Sequence, residues 1–281
     1  MNSSLRALVP ALALLSSAAL PAIAADYDPP IVVDQPVEEV PIEVGSGWYL
    51  RGDIGYNFSA DTDGVSYRTY NPLTATYDNN SFDNVSLGEN VTFSGGFGYN
   101  FTDMIRADFT VDGFQMSFDG TASSATPCVN PTASPAFAGT SCRSESGASA
   151  SAIGLMVNGY VDLGTYVGFT PYVGGGLGYT YVDWGNVGSN LYCTGATCPT
   201  GLAASEDNDG RQSWRFTYAA MAGLAYDVTK NMKVDVGYRY RHIDGGSMFA
   251  FDPGTGATGT QGEDSGFTTH EVRVGLRYAL W

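Results

Sequence analysis

The chain has 281 residues, is rich in glycine (36) and tyrosine (18), and carries only 15% charged residues. Its formal net charge of −16 excludes nucleic acid as a partner, because phosphate binding needs a basic surface. Beyond the N-terminal region no run reaches the roughly 18 apolar residues of a membrane-crossing helix, and amphipathic helical periodicity is absent.

In chain order, residues 1–25 read as a secretory leader that is cleaved. Arg6 gives a positive start, Ala7 to Leu20 is apolar, and Ala22-Ile23-Ala24 offers an A-x-A cleavage site. Residues 26–46 are acidic, and Pro29, Pro30, Pro36 and Pro41 oppose helix and central strand. An extended periplasmic tether is expected there. From 47 to 281 the pattern is that of one β domain.

Eight runs in that domain alternate with a period of two, the signature of strands with one apolar face. The first places Trp48, Leu50, Ile54, Tyr56 and Phe58 opposite Tyr49, Arg51, Asp53 and Asn57. The second has Val91, Phe93, Phe97 and Tyr99 on its apolar face, and the third Ile105, Ala107, Phe109 and Val111. Ile153, Leu155, Val157 and Val161 mark the fourth, and Val173, Leu177, Tyr179 and Tyr181 the fifth. The sixth runs from Trp214 to Tyr226, the seventh from Met232 to Tyr240, and the eighth, His270 to Leu280, faces Glu271, Arg273 and Arg277.

The connections alternate in length. They are short near Phe101-Thr102-Asp103, Leu163–Val167 and Val228-Thr229-Lys230, and long at 59–89, 117–150, 183–212 and 244–266. Short turns on one side and long loops on the other predict an all-β fold, an eight-stranded antiparallel transmembrane β-barrel of the small outer-membrane architecture. A soluble eight-stranded barrel would also alternate, but it would carry abundant Lys and Glu outside. Here aromatics cluster at both ends of the apolar face: Trp48, Tyr99, Tyr226 and Tyr278 at the short turns, Phe58, Tyr181, Trp214 and Tyr240 at the long loops. Two such girdles fit two bilayer interfaces.

The same alternation directs Arg51, Arg106, Arg215, Lys233, Arg239, Arg241, Arg273 and Arg277 inward. Asp53, Asp108, Asp112, Asp162, Asp235 and Glu271 go with them. Buried charges persist only when paired, so a lumen crossed by Arg–carboxylate bridges is expected, with Gly174, Gly176 and Gly178 leaving room for arginines from facing strands. With eight strands the interior is just wide enough for side chains to fill. A salt-bridged plug is therefore favoured over its rival, a narrow charge-lined pore.

Cys128, Cys142, Cys193 and Cys198 all fall in long connections. Export implies an oxidising compartment and hence disulfides. Three pairings are open; Cys128–Cys142 with Cys193–Cys198 is favoured because each closes one loop. A zinc site at Cys193-x4-Cys198 is the rival, but no further ligand type lies near it.

The segments GWYLRGDIGYNF at 47–58, GFGYNFTDMIRAD at 96–108 and THEVRVGLRYAL at 269–280 give the chain a family resemblance. It resembles the alphaproteobacterial small outer-membrane proteins of the Omp25/Omp31 type, relatives of the opacity surface antigens, over roughly 47–281. Leu280 stands where such proteins usually carry an aromatic, with Trp281 after it. The resemblance implies a surface-exposed, envelope-stabilising protein, and some relatives are linked to haemin binding or host-cell contact.

Chemistry-bearing motifs are sparse. His242 and His270 lie near the long-loop end on the lipid-side parity and read as interfacial residues more readily than as a haem or metal pair, since two ligands make an incomplete site. Some eight-stranded barrels modify lipid A with a Ser–His–acid set, but no serine stands at strand spacing from His270. Asp61-x-Asp63-Gly64 and Asp207-Asn208-Asp209-Gly210 look like turn sequences rather than calcium loops. The expectation is a non-enzymatic monomer without cofactor or metal, in the outer membrane of a Gram-negative cell. Its expected partners are outer-membrane lipid, lipopolysaccharide and the assembly machinery. The alternatives are a narrow diffusion channel, or an adhesin or haemin receptor acting through its loops.

Overall fold

Val, Ile, Tyr, Phe and Trp at every second position favour a pleated, half-covered surface, and strands result. The structure is a computed structural model that describes residues 47–280 apart from 63, 89, 131 and 200. The expected leader at 1–25, the tether at 26–46 and Trp281 lie outside the described residues.

Among the described residues thirteen strands form one antiparallel sheet. They are β1 (Trp48–Thr62), β2 (Val65–Asn71), β3 (Thr76–Ser81), β4 (Asn84–Leu87), β5 (Asn90–Asn100), β6 (Ile105–Ser124) and β7 (Ser141–Asp162). After them come β8 (Phe169–Trp184), β9 (Val187–Thr194), β10 (Leu202–Asn208), β11 (Gln212–Asp227), β12 (Met232–Ala250) and β13 (Thr260–Ala279). From β7 the ladders lead through β8, β11, β12, β13, β1, β5 and β6, and β6 pairs back to β7. Each of the alternating runs lies in one strand of this ring.

The remaining strands depart from expectation. The connection at 59–89 contains the β2–β3 hairpin and β4, and that at 183–212 contains the β9–β10 hairpin. In the region expected as a loop over 117–150, β6 and β7 stay paired as far as Ser124↔Cys142. Likewise β12 and β13 stay paired up to Ala250↔Thr260. The short connections are tight: Phe101 N–H and Thr102 N–H both donate to the Ile105 carbonyl, and Val228 N–H and Thr229 N–H to that of Met232.

Towards the short turns, side chains on the outer face of the ring are mostly apolar and exposed; Phe93 is 62% exposed, Val157 61% and Ile54 58%. Inward side chains are buried whatever their polarity, Asp112 to 0%. The interior has two levels. Towards the short turns it holds charge and tyrosine. Towards the long connections it holds an apolar cluster that includes Phe114, Phe118, Trp184, Ile243 and Met248. Val65 from β2 and Val187 from β9 belong to that cluster, so the unexpected strands help to close it from above.

Candidate functional site

The lower interior is built from alternate residues of the ring strands, which aim charged groups at one another across the centre. Arg51 meets Asp53 with both ends of its guanidinium, Nε to Oδ2 at 2.9 Å and Nη2 to Oδ1 at 2.6 Å. Its Nη1 reaches Asp108 at 2.6 Å and the Tyr160 hydroxyl at 2.8 Å. Asp108 also accepts from Asn158 at 2.8 Å and from the Tyr49 hydroxyl at 3.1 Å. Arg106 pairs with Asp162 at 3.2 Å and lies 3.8 Å above the Tyr160 ring. Arg277 holds Asp235 at 3.2 Å, and Tyr172 donates to the other oxygen of that carboxylate at 3.0 Å.

A second group sits at mid-height. Arg239 bridges Asp112 at 2.8 Å and Glu271 at 2.9 Å, joining β12 to β6 and β13. Arg241 lies 3.7 Å from Asp112 and stacks on Phe114 with its guanidinium carbon 4.1 Å from the ring centroid. Arg273 stands 4.0 Å from Asp53. Higher still, Arg215 is held by both oxygens of Asp264 at 2.8 Å.

Thirteen of the residues assigned inward by alternation therefore take buried or nearly buried inward places. Lys233 is the correction: its side chain is 39% exposed and pairs with Asp227 at 2.7 Å. It is the second residue of β12, where the wall ends and an ammonium can stay in water. The glycine expectation also needs correcting. A Cβ on Gly174 would strike the Tyr160 ring, one on Gly176 the Asn158 side chain, and one on Gly178 the β7 backbone and Met156. These glycines make room for neighbours on the adjacent strand β7, not for arginines from facing strands. Gly223 and Gly237 leave the same kind of space for Tyr172.

Sequence reasoning missed Asp264, because it lay in a presumed loop. Tyr160 and Tyr172 were also missed, although they share the inward parity of the charged residues, whereas Asn158 lies on the inward face of the fourth run as its alternation implies. In the long-connection region, burial and the nearby Asp83 carboxylate lift the Tyr67 phenol above its ordinary range. Tyr77 moves the other way, because its hydroxyl accepts the Thr258 N–H at 3.1 Å.

The cysteines pair as Cys128–Cys142 and Cys193–Cys198. Cys142 and Cys193 face each other across the β7–β9 ladder, so the two bridges lie side by side. Both histidines are on the outer face. His270 shares a 2.6 Å hydrogen bond with the Tyr238 hydroxyl, and His242 a 3.1 Å one with Thr268. Among the described residues no three His, Cys, Asp or Glu side chains converge as metal ligands would.

An antiparallel ring with exposed apolar side chains outside and paired charges inside defines a class of membrane-wall proteins. The chain belongs to the outer membrane protein beta-barrel domain family, whose profile matches residues 11–279. It is 36% identical to an uncharacterised protein of Brucella suis over 95% of this chain and 97% of that one. It is 32% identical to the outer membrane protein PagN of Salmonella typhimurium over 44% of this chain and 48% of that one. Among solved structures it is similar to Neisserial surface protein A, with 15% identity, a TM-score of 0.41 and coverage of 84% of this chain and 98% of that one.

Proposed function

We propose that the eight strands of the ring are a transmembrane barrel of the outer membrane, sealed inside, and that the protein serves envelope integrity and surface presentation. One observation carries this reading: exposed apolar side chains cover the outside while charge is buried within, the reverse of a soluble protein. Lipid and lipopolysaccharide cover that belt, and the aromatic rings at its two ends sit at the interfaces. The barrel is a non-enzymatic monomer of the Omp25/Omp31-like group, delivered by the assembly machinery after the leader is cleaved.

The sealed state is favoured over a channel by the stacking of two filled levels. Asp112 and Thr217 in the lower level and Val182 and Ile243 in the upper are all 0% exposed. Planar-bilayer recording of the purified, heat-modifiable protein tests this. A folded but silent protein is expected; steady unitary current steps would replace the sealed reading with the channel one.

A further inference from the structure

We propose that a cup at the long-connection end is a binding site for a saccharide, neutral or amino-bearing. The proposal rests on the reading that this end faces outward from the cell. The cup is a cavity of about 520 Å3. That falls within the roughly 300–1,000 Å3 of small-molecule sites. Its walls come from the β2–β3 hairpin, the upper β6–β7 ribbon, the β9–β10 hairpin and the tops of β12 and β13.

The lining has the chemistry that sugar rings require. Tyr67, Phe82 and Phe249 supply aromatic surface for the C–H face of a pyranose. Phe82 is fixed by Tyr67 at 5.0 Å and by Phe118 of the apolar cluster at 5.5 Å, so this surface is a rigid platform. Amides and carboxylates stand around it: Asn80, Asn208, Gln261, Asp78 and Glu206. Such groups hold adjacent hydroxyls in pairs, one donor and one acceptor at a time. Gln261 lies in the lining, and its buried Oε1 has no hydrogen-bond partner within the protein. Ser146 and Ser189, joined at 2.7 Å, add hydroxyls from facing strands. The Cys128–Cys142 bridge clamps the β6–β7 wall, which lowers the ordering cost of binding.

Charge narrows the ligand. Among the described residues no Lys, Arg or His lines the cup, while Asp78 and Glu206 do. Sulfated or phosphorylated sugars and haem propionates would face like charge without compensation. Both cysteines in the lining are bonded to each other, and both histidines are on the outer face, so haem would find neither a thiolate nor an imidazole ligand there.

Saturation-transfer NMR on the full folded chain in detergent tests the proposal with methyl glucoside, glucosamine, its β-1,4 disaccharide and glucosamine 6-sulfate. Saturable binding of the first three is expected, with the sulfate weaker by about tenfold or more. Asn80→Ala and Glu206→Gln each weaken glucosamine by about fivefold. Either order of affinity between glucosamine and the disaccharide supports the site and tells a free sugar from a glycan end. No saturable binding, binding of the sulfate equal to that of glucosamine, or unchanged affinity in both variants overturns it. Heat-modifiable migration and silent bilayers in the same preparation show that the barrel reading stands while the sugar site falls.

Discussion

The lower and upper interior share one wall and one register, yet their chemistry is opposite. On β6, Asp108, Thr110 and Asp112 point inward, and so do Phe114, Met116 and Phe118, with no change of phase. Outward, Phe109 and Val111 give way to Gln115, Ser117 and Asp119 over the same step. β8 turns over between Thr180 and Val182, and β12 between Arg241 and Ile243. The period of two decides which side each residue faces; the surrounding medium decides what that side must be. Against hydrocarbon the outside takes every apolar group, and the inside can hold charge only as closed ion pairs. Against water the outside turns polar and the inside becomes an ordinary core. The level at which both faces invert marks where the medium changes.

The contrast can be broken most strongly at Asp112. Asp112→Ala leaves Arg239 with one partner and Arg241 with none within 4 Å among the described carboxylates, and is expected to cost about 3–5 kcal/mol. Urea unfolding in detergent, followed by the heat-modifiable shift, reads that loss. Phe118→Ala in the upper level is expected to cost about 3 kcal/mol, through cavity formation, while the lower level keeps the bilayer silent. Conduction by this variant would mean that the ion pairs alone do not seal the barrel. Serine replacement of the Cys193–Cys198 pair is expected to cost about 2 kcal/mol on loop-closure grounds. That cost should show as faster hydrogen exchange in β9 and β10, with the lower wall unchanged. The smallest effect sharpens the comparison: replacing Asp112, Arg239, Arg241 and Glu271 together by apolar residues of similar volume should be near neutral. A loss as large as that of Asp112→Ala alone would show that the ion pairs add net stability rather than merely needing one another.

The lipid-facing part of the fold was legible because the signal there is redundant. Along β13, Val272, Val274 and Leu276 alternate with Glu271, Arg273 and Arg277, so face and medium are both given by residue type. The upper wall was illegible for the reason that makes it interesting. At Gly113 the apolar side chains switch to the other face, which a reader expecting one apolar face takes for the end of a strand. The β9 and β10 sequences, VGSNLYCT and LAASEDN, are too short and polar to declare themselves as strands and depend on ladders to β7 and to each other. The charged half of the interior and Tyr49 were readable from parity; Tyr160 and Tyr172 have the same parity but look like outer-girdle residues until glycines at 174, 223 and 237 open space for their rings. Lys233 shows the converse limit, because parity says nothing about where a wall stops.

β7 has 22 residues and β5 has 11. At about 3.3 Å per residue the surplus is some 35 Å of chain, or roughly 25 Å of height for a strand tilted by about 45°. A headgroup layer is only about 5–7 Å thick on each side of the hydrocarbon. The crown is thus uneven: β6–β7 and β12–β13 run on as paired ribbons to Ser124↔Cys142 and Ala250↔Thr260, while above β5 the wall is carried by the short β4, paired with β6 only over Phe118–Thr121. On the proposed reading of this end as the outward one, a large probe such as an antibody meets the ribbon tips first and is held off the lower rim. Sequence change at the tips can then alter the far end of the ribbons without touching the buried charges that hold the wall together.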